Sequence, residues 1–419
     1  MANKNKKDLS KKHKPSEPVK AEPPSTNTPT VTQSSEQTTK STSPFVSIIV
    51  PVRNAERTLE ETFNYLLKVE YPRDCLEIVI ADGGSTDGTI QVIEKWKAKY
   101  NFITLVNVPN CPSPGHARNK AIVVAKGDYL IFTDGDCAPN TDWIEQLLKP
   151  FASDSQIGGV GGEIFTLRTD PNNVTESYCE QVGFLSVKGR FSISKEGYMP
   201  GLTDLSPSQV SADRCPFFAT ANVAFSRKAV EKIGGKFWDH PTGEDVEFSL
   251  QLQKAGYKLY YAPNAIVKHM HRVDMNSFNK QWFGYGKGHS YLVEKHSAKI
   301  FEIVFQFIPG SPRIKLPFPI KGLVYLGNFH MTVISFILFL LSAICAIVTP
   351  DRADLYWVLG TFLLTLFFKI RYFKGCLGLT PKKYFFKWCY IRWVTNYWFI
   401  KGGLEGTKKT GILYIEPSW

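Results

Sequence analysis

The pattern of apolar and polar positions changes character three times along the chain. Residues 1–44 are Lys, Ser, Thr, Pro and Gln with almost no large apolar side chain. Such a segment cannot bury enough surface to offset chain entropy, and it is expected to be disordered. From Phe45 onward, short continuous apolar runs alternate with amphipathic stretches. FVSIIVP, LEIVIA (76–81), FITLVN and DYLIFT read as strands buried on both faces. ERTLEETFNYLLK puts Leu59, Phe63, Leu66 and Leu67 on one helical face, and DGTIQVIEKWKAK and GHARNKAIVVA continue the alternation. Strands alternating with helices predict an α/β fold: a mostly parallel sheet with helices on both faces. Residues 158–295 are less regular. GGVGGEIFTL and CPFFATANVAF read as strands, SRKAVEKIGG and GEDVEFSLQLQKAG as helices, and KLYYAP with AIVKHMH as a strand pair.

The third change comes at residue 323. The run 323–349 carries no charge and is long enough to span a bilayer. LYWVLGTFLLTLFF (355–368) is a second uncharged run, so a hairpin of two transmembrane helices is predicted at about 323–349 and 352–371. Lys315 and Lys321 precede it; Lys369, Arg371 and Lys374 follow. Positive flanks at both outer ends orient those ends toward the cytoplasm. YFFKWCYIRWVTNYWFIK (384–401), rich in Trp, Tyr and cations, is expected to lie in the membrane interface, a third span being the alternative. Four regions result: a basic tail over 1–44, an α/β domain over 45–300, a membrane-associated region over 301–372, and a basic aromatic tail over 373–419.

Charge sharpens this division. The net charge is +12 over 419 residues. Residues 1–44 hold a net +4 and residues 369–419 a net +8, which leaves the stretch between them neutral. A nucleic-acid reader carries its basic surface on the folded domain. Here the excess sits at the ends, one of them beside apolar segments, which favours an anionic membrane surface and excludes a nucleic-acid partner. The eight cysteines are scattered without a CxxC pair and read as reduced thiols of a cytosolic compartment. MANKNKKDLSKKHK has no apolar stretch after its lysines, so no secretory signal peptide is expected.

The candidate chemistry lies at the ends of the apolar runs, where parallel sheets bind ligands. Asp82 opens DGGSTDGT directly after LEIVIA. It either contacts a base or ribose or belongs to an Asp/Gly turn, with Asp87 capping the next helix. Asp134 and Asp136 flank a glycine after DYLIFT. At this spacing two carboxylates can converge on a hard divalent cation, Mn²⁺ or Mg²⁺. Glu244 and Asp245 begin a helix, where the macrodipole favours an ionised acid; a catalytic base and a plain dipole-favouring pair both fit. His269 and His271 share a strand face in AIVKHMHR, and one of them could complete a metal sphere or serve structure only. QWFGYGKGH (281–289) sets Trp282, Lys287 and His289 among glycines, where they could cover a sugar and its diphosphate or simply lead to the membrane.

FVSIIVPVRNAERTLEETFNYL, LEIVIADGGSTDGT, PGHARNKAI, YLIFTDGDCAPN, FATANVAFSRKAV and GEDVEFSLQLQKAGYKLYYAPNAIVKHMHR follow one another in this order. Together they resemble a family 2 glycosyltransferase of GT-A fold over roughly residues 45–295. The following hairpin is similar to that of membrane-bound members that build bacterial exopolysaccharides or sugar-lipids. The resemblance implies an inverting, metal-dependent hexosyl transfer. The donor is a nucleotide-diphospho-sugar, by default a UDP-sugar. The acceptor is a saccharide or lipid-linked saccharide at the cytoplasmic face of the inner membrane. A polysaccharide-assembly complex would be a further partner. The resemblance also implies roles: Asp82 at the nucleobase, Arg53 and Arg118 near the nucleotide, and Asp134 at ribose and metal. Asp136 would ligate the metal with His269 as a second ligand. Asp245 would be the general base, with Glu244 and Trp282 on the acceptor. The QxxRW segment of processive members has only QWFGYGKG as its nearest match, which favours adding a single sugar. A nucleotidyltransferase making sugar nucleotides and a non-catalytic membrane adaptor are the competing readings.

Overall fold

The computed structural model describes residues 43–211, 215–317, 321–349 and 351–417. The tail expected to be disordered lies outside the described residues up to position 42.

The main sheet is built from β1 (Val46–Val52), β2 (Leu76–Asp82), β3 (Ile103–Asn107), β4 (Tyr129–Phe132), β5 (Cys137–Pro139), β6 (Ile157–Leu167), β7 (Gly197–Tyr198), β8 (Val223–Ser226) and β9 (Lys258–Met270). Their order is β3-β2-β1-β4-β8-β6-β9-β5, with β7 on the side of β9. The first four strands are mutually parallel, as the alternating runs predict. Antiparallel pairs enter with β8, which joins β4 and β6 in the opposite sense, so the second half is mixed. Alternate residues of each buried run serve opposite faces. Val46, Ile48 and Val50 pack with Leu59 and Phe63 of α1 (Glu56–Leu66) and Trp96 of α2 (Thr89–Lys97). Ile49, Val79 and Phe132 pack on the other face with Ala117 and Ala121 of α3 (Pro114–Val124) and Phe248 of α4 (Glu244–Lys254).

KLYYAP and AIVKHMH form one strand, β9, rather than a pair. Its register against β6 shifts between Gly162 and Glu163, which leaves residues 263–265 bulged out of the ladder. The Asn222 amide spans this irregularity, donating to the Glu163 and Ala265 carbonyls while its oxygen accepts from the Trp143 indole. A bulge of this kind re-aims the strand beyond it. Here that is the segment carrying His269.

After α5 (Met275–His296), the chain forms a second sheet: β10 (Ile300–Phe305), β11 (Arg313–Pro317), β12 (Gly322–Leu326) and β13 (Leu413–Ile415), in the order β11-β10-β12-β13. The first apolar helix therefore starts later than the hydropathy suggests. Residues 322–326 pair with β10 and β13, and α6 runs from Asn328 to Val348. It is followed by α7 (Arg352–Leu377), and both helices are long and apolar enough to cross a membrane. Their apolar side chains, such as Leu341, Ile344, Leu363 and Phe367, face outward. The Ser342 and Thr361 hydroxyls meet between them at 2.8 Å.

The aromatic basic segment is α8 (Phe385–Thr410), and it does more than the expected interfacial helix. One side, with Trp388, Ile391 and Phe399, is buried in a core shared with Phe278 and Trp282 of α5. Phe386, Tyr390 and Tyr397 remain exposed on the other. The two backbones approach closely: a Cβ on Gly402 would stand 2.0 Å from the Phe283 carbonyl oxygen, and one on Gly286 1.9 Å from that of Phe399. Overpacking a tight contact costs ~1–3 kcal/mol, and backbone cannot yield as a side chain does. Gly402→Val is expected to lower the melting temperature of the detergent-solubilised protein by several degrees, read by thermal unfolding.

Candidate active site

The parallel half of the sheet reverses its strand order around β1, which has β2 on one side and β4 on the other. The crevice beyond the carboxyl ends of such strands is open to ligands because no crossover covers it. A cavity of about 490 Å³ lies there. Arg53 and Asn54 reach it from the end of β1, Gly83 from the end of β2, and Asp134, Gly135 and Asp136 from the end of β4. Arg118 enters from α3, Glu244 and Asp245 from α4, and His269 from β9.

Register explains why Asp136 and His269 meet. The short strand β5 pairs antiparallel with β9, matching Cys137 with His269, and the Met270 N–H donates to the Asp136 carbonyl at 2.9 Å. Asp136 Oδ1 then stands 3.3 Å from His269 Nε2. That oxygen is buried and has no hydrogen bond among the described residues, and neither has His269 Nδ1. Burial pushes the Asp136 carboxyl up, with Asp134 adding to the rise and His269 opposing it. A buried carboxylate oxygen without a hydrogen bond, 3.3 Å from an imidazole nitrogen, fits a divalent cation. The Cys137 sulfur completes a close trio; burial pushes its thiol well above the ordinary range, and it donates to the Ala221 carbonyl at 3.9 Å. His271 takes another part. Its Nε2 lies 2.9 Å from the Thr166 hydroxyl, and burial pushes the ring down to about 3, so it is neutral.

Arg118 is the electrostatic centre. It is buried, and its two terminal nitrogens donate to Asp134 Oδ1 at 3.0 Å and Glu244 Oε1 at 2.7 Å. Burial works against its charge, but Asp134 and Glu244 outweigh that and raise its pKa. Glu244 is pushed up to about 7 by burial, with Arg118 opposing and Asp245 adding to the rise. Asp245 follows Gly243, whose φ of +83° is strained for any side-chain-bearing residue. Its Oδ1 accepts from the Val246 N–H at 2.8 Å, and burial raises its carboxyl above the usual aspartate range.

Two expected residues stand apart from the cavity. Asp82 ends β2 as read, but its carboxylate accepts from the Gly84 and Ser85 N–H groups, each at 3.0 Å, and from the Ser85 hydroxyl. It orders the turn, and its neighbour Gly83 lines the cavity. Asp87 accepts from the Thr89 N–H at the start of α2. Trp282 is buried against Phe184, Phe278 and Phe399 and does not line this cavity. Gln281 and Tyr285 of the same helix do, one turn apart on the face that Trp282 does not share. Arg272, next to the HMH segment, also lines it. The sequence signal for these was the one-turn spacing on a helix that follows the acidic motifs. Arg53 lines the cavity and donates to the Cys111 carbonyl at 3.2 Å.

Comparison with known proteins accounts for both halves of the chain. A family model described as glycosyl transferase family 2 matches residues 47–234. A second, glycosyl transferase family group 2, matches residues 201–400. The chain belongs to glycosyl transferase family 2. This glycosyltransferase is 27% identical over 349 residues to a dolichyl N-acetyl-alpha-D-glucosaminyl phosphate 3-beta-D-2,3-diacetamido-2,3-dideoxy-beta-D-glucuronosyltransferase of Methanococcus voltae. That alignment covers 80% of this chain and 97% of the relative. It is 28% identical over 249 residues to glycosyltransferase AglE of Haloferax volcanii, covering 59% of this chain and 74% of that one. With the probable glycosyltransferase YdaM of Bacillus subtilis it shares 25% identity over 270 residues, 62% of this chain and 59% of the relative's length. Among solved structures it resembles the mannosyltransferase PcManGT of Pyrobaculum calidifontis in complex with GDP-Man and Mn²⁺, at 17% identity and a TM-score of 0.48. That likeness covers 87% of this chain and 88% of the other.

Proposed function

We propose that this glycosyltransferase moves a sugar from a nucleotide-diphospho-sugar, by default a UDP-sugar, to a hydroxyl of a saccharide or lipid-linked saccharide. The reaction inverts the anomeric centre and takes place at the cytoplasmic face of a membrane. The observation that carries this reading is the single cavity shared by Asp134, Asp136, His269 and Asp245. The apolar hairpin supports the membrane location. The Methanococcus relative, named for a dolichyl-linked sugar phosphate, supports a lipid-linked acceptor. Membership of family 2 favours sugar transfer over nucleotidyl transfer.

In this reading Arg53 and the turn ordered by Asp82 flank the nucleotide, and Asp134 faces the ribose. A Mn²⁺ or Mg²⁺ held by Asp136 and His269, with Asp134 beside them, would supply positive charge to the departing diphosphate. Asp245 accepts the proton of the acceptor hydroxyl as that oxygen forms its bond to C1. The C1–O bond to the diphosphate breaks on the opposite face and its electron pair leaves with the nucleotide. Glu244 acts through Arg118, fixing the guanidinium between the donor-side and acceptor-side carboxylates.

The test is a donor screen with the purified protein and Mn²⁺. Transfer is expected to stop on adding EDTA, to return with excess Mn²⁺, and to yield a product of inverted configuration. Retention of configuration, or full activity in EDTA, overturns the mechanism. The pH profile gives a second check. A base works only when deprotonated, and burial raises Asp245. The acid limb of kcat is therefore expected above the ordinary aspartate value of about 3.9, and an acid limb at or below that value would contradict the role.

A further inference from the structure

Helix α8 divides its surface into three sectors. The first, with Trp388, Ile391 and Phe399, packs on α5. The second holds the foot of the hairpin. There the Trp393 ring lies 4.6 Å from that of Phe329, at the start of α6. Asn396 donates to the Tyr372 hydroxyl of α7 at 2.9 Å, and that hydroxyl donates to the Arg392 carbonyl at 2.9 Å. The third sector faces outward. Phe386, Lys387, Tyr390, Tyr397 and Lys401 recur at helical spacing on this side, away from the sector on α5. Phe386 is 83% exposed, Tyr390 61% and Tyr397 50%.

This outer face is cationic and aromatic together. Lys387 and Lys401 are exposed on it, and Lys383 is exposed in the turn before the helix. Their ammonium groups lie over rings: Lys383 at 4.9 Å and Lys387 at 5.8 Å from Tyr384, and Lys401 at 4.4 Å from Trp398. The single acid of the helix, Glu405, stands 3.6 Å from Lys408. Interleaved rings and lysines suit a lipid headgroup layer. The rings lie at the boundary of the acyl chains, while the lysine stems carry charge out to phosphate oxygens. Position favours a bilayer over an acidic protein. The face adjoins the sector from which two helices of membrane length leave, so a membrane crossed by the hairpin reaches it.

The glycines of α5 tie this face to the transfer site. Gly286 meets α8, where a Cβ would collide with the Phe399 carbonyl. Gly284 and Gly288 meet the segment before α4 instead. A Cβ on Gly288 would run into the Thr242 hydroxyl, and that hydroxyl donates to the Gly284 carbonyl at 2.8 Å. Thr242 precedes Asp245 by three residues. Helix α5 is thus held backbone to backbone on one side by α8 and closely by the approach to Asp245 on the other. A membrane contact of α8 is thereby kept at a fixed distance from the transfer site.

We propose that the outer face of α8, with Lys387, Tyr390 and Lys401, binds the headgroup layer of an anionic membrane. This rests on the membrane location in the reading above and adds the face that meets the bilayer and the lipid chemistry it selects. The lysines engage lipid phosphates, the rings of Phe386, Tyr390 and Tyr397 sit among the first acyl carbons, and the opposite side of the helix carries the catalytic domain.

The experiment reconstitutes the full chain in phosphatidylcholine bilayers with a trace of spin-labelled phosphatidylglycerol or spin-labelled phosphatidylcholine. The immobilised fraction of each label gives its relative association with the protein. Phosphatidylglycerol is expected to associate about threefold better or more, and to lose that preference in high salt. The triple variant Lys383→Gln, Lys387→Gln and Lys401→Gln is expected to lose most of the preference. All three side chains are exposed and glutamine is as good a helix former as lysine, so the fold is expected to hold. Phe386→Glu sets an acid on the same exposed face and is expected to lower the preference as well. Equal association of the two lipids with the wild type overturns the proposal. An unchanged preference in either variant also overturns it and assigns the preference to the basic flanks of the hairpin. Flotation with phosphatidylcholine vesicles is followed in the same preparation. Flotation without a preference for phosphatidylglycerol overturns the face and not the membrane location. Absence of flotation overturns the membrane location and the face with it.

Discussion

Asp245→Asn is expected to bind donor as the wild type does and to lose transfer by about 10²–10⁴-fold, the usual worth of a positioned general base. Asparagine has the shape of aspartate and can still accept the Val246 N–H that the Asp245 carboxylate accepts. It cannot take up a proton. The first turn of α4 and the positive-φ glycine before it are untouched, so the local backbone stays as it is. Donor binding is read by calorimetry with a sugar nucleotide and Mn²⁺, and transfer by product formation under saturating donor. A fall in kcat without a fall in donor affinity is the signature of an interaction made only in the transition state. Wild-type turnover in the variant would remove Asp245 from the mechanism and leave the acid pair as a helix-dipole feature.

Arg118→Met is expected to damage stability as well as activity. Methionine fills much of the volume of the arginine stem but leaves Glu244 buried with no cation, and it frees Asp134 from its partner. Removing one member of a buried ion pair typically costs about 3–5 kcal/mol, because a charge remains without compensation. The pH dependence carries the diagnostic. Glu244 is raised by burial to about 7 from an ordinary value of 4.5. A carboxyl whose pKa is higher folded than unfolded contributes stability that is complete below the unfolded value and is lost as pH rises through the folded one. The penalty of Arg118→Met is therefore smallest below about pH 4.5, where Glu244 is neutral in any case. It grows as pH rises through about 7. Thermal melts of variant and wild type at pH 5 and pH 8 check this, and an equal loss at both would show that packing, not charge, is what Arg118 contributes.

Much of this protein was legible in the chain because the signals were local. Apolar runs of four to seven residues bounded by acids and glycines can only be buried strands with functional ends, and β1, β2 and β4 lie where those runs were read. The acidic residues at strand ends and at the start of α4 followed from the same reading, because a carboxylate without a partner is costly inside a buried strand. The two apolar helices were equally plain, although the first begins at Asn328 once residues 322–326 have paired as a strand. Which side of α5 meets the cavity was not legible, because a motif viewed as a string shows neighbours, whereas a helix turns about 100° per residue. Gln281 and Tyr285 face the cavity and Trp282 packs behind it.

The sequence by itself determined the α/β plan, the membrane-length hairpin and the residue types available for chemistry, since each depends on contacts within a few residues or on bulk composition. Only the tertiary structure decided which of those residues meet. His269 reaches Asp136 through the antiparallel pairing of β5 with β9, and Arg118 joins Asp134 to Glu244 across three elements. Helix α8 docks on α5 through glycines that let two backbones touch. These are long-range contacts, set by strand register and by shape, and neither has a period that a linear pattern can display.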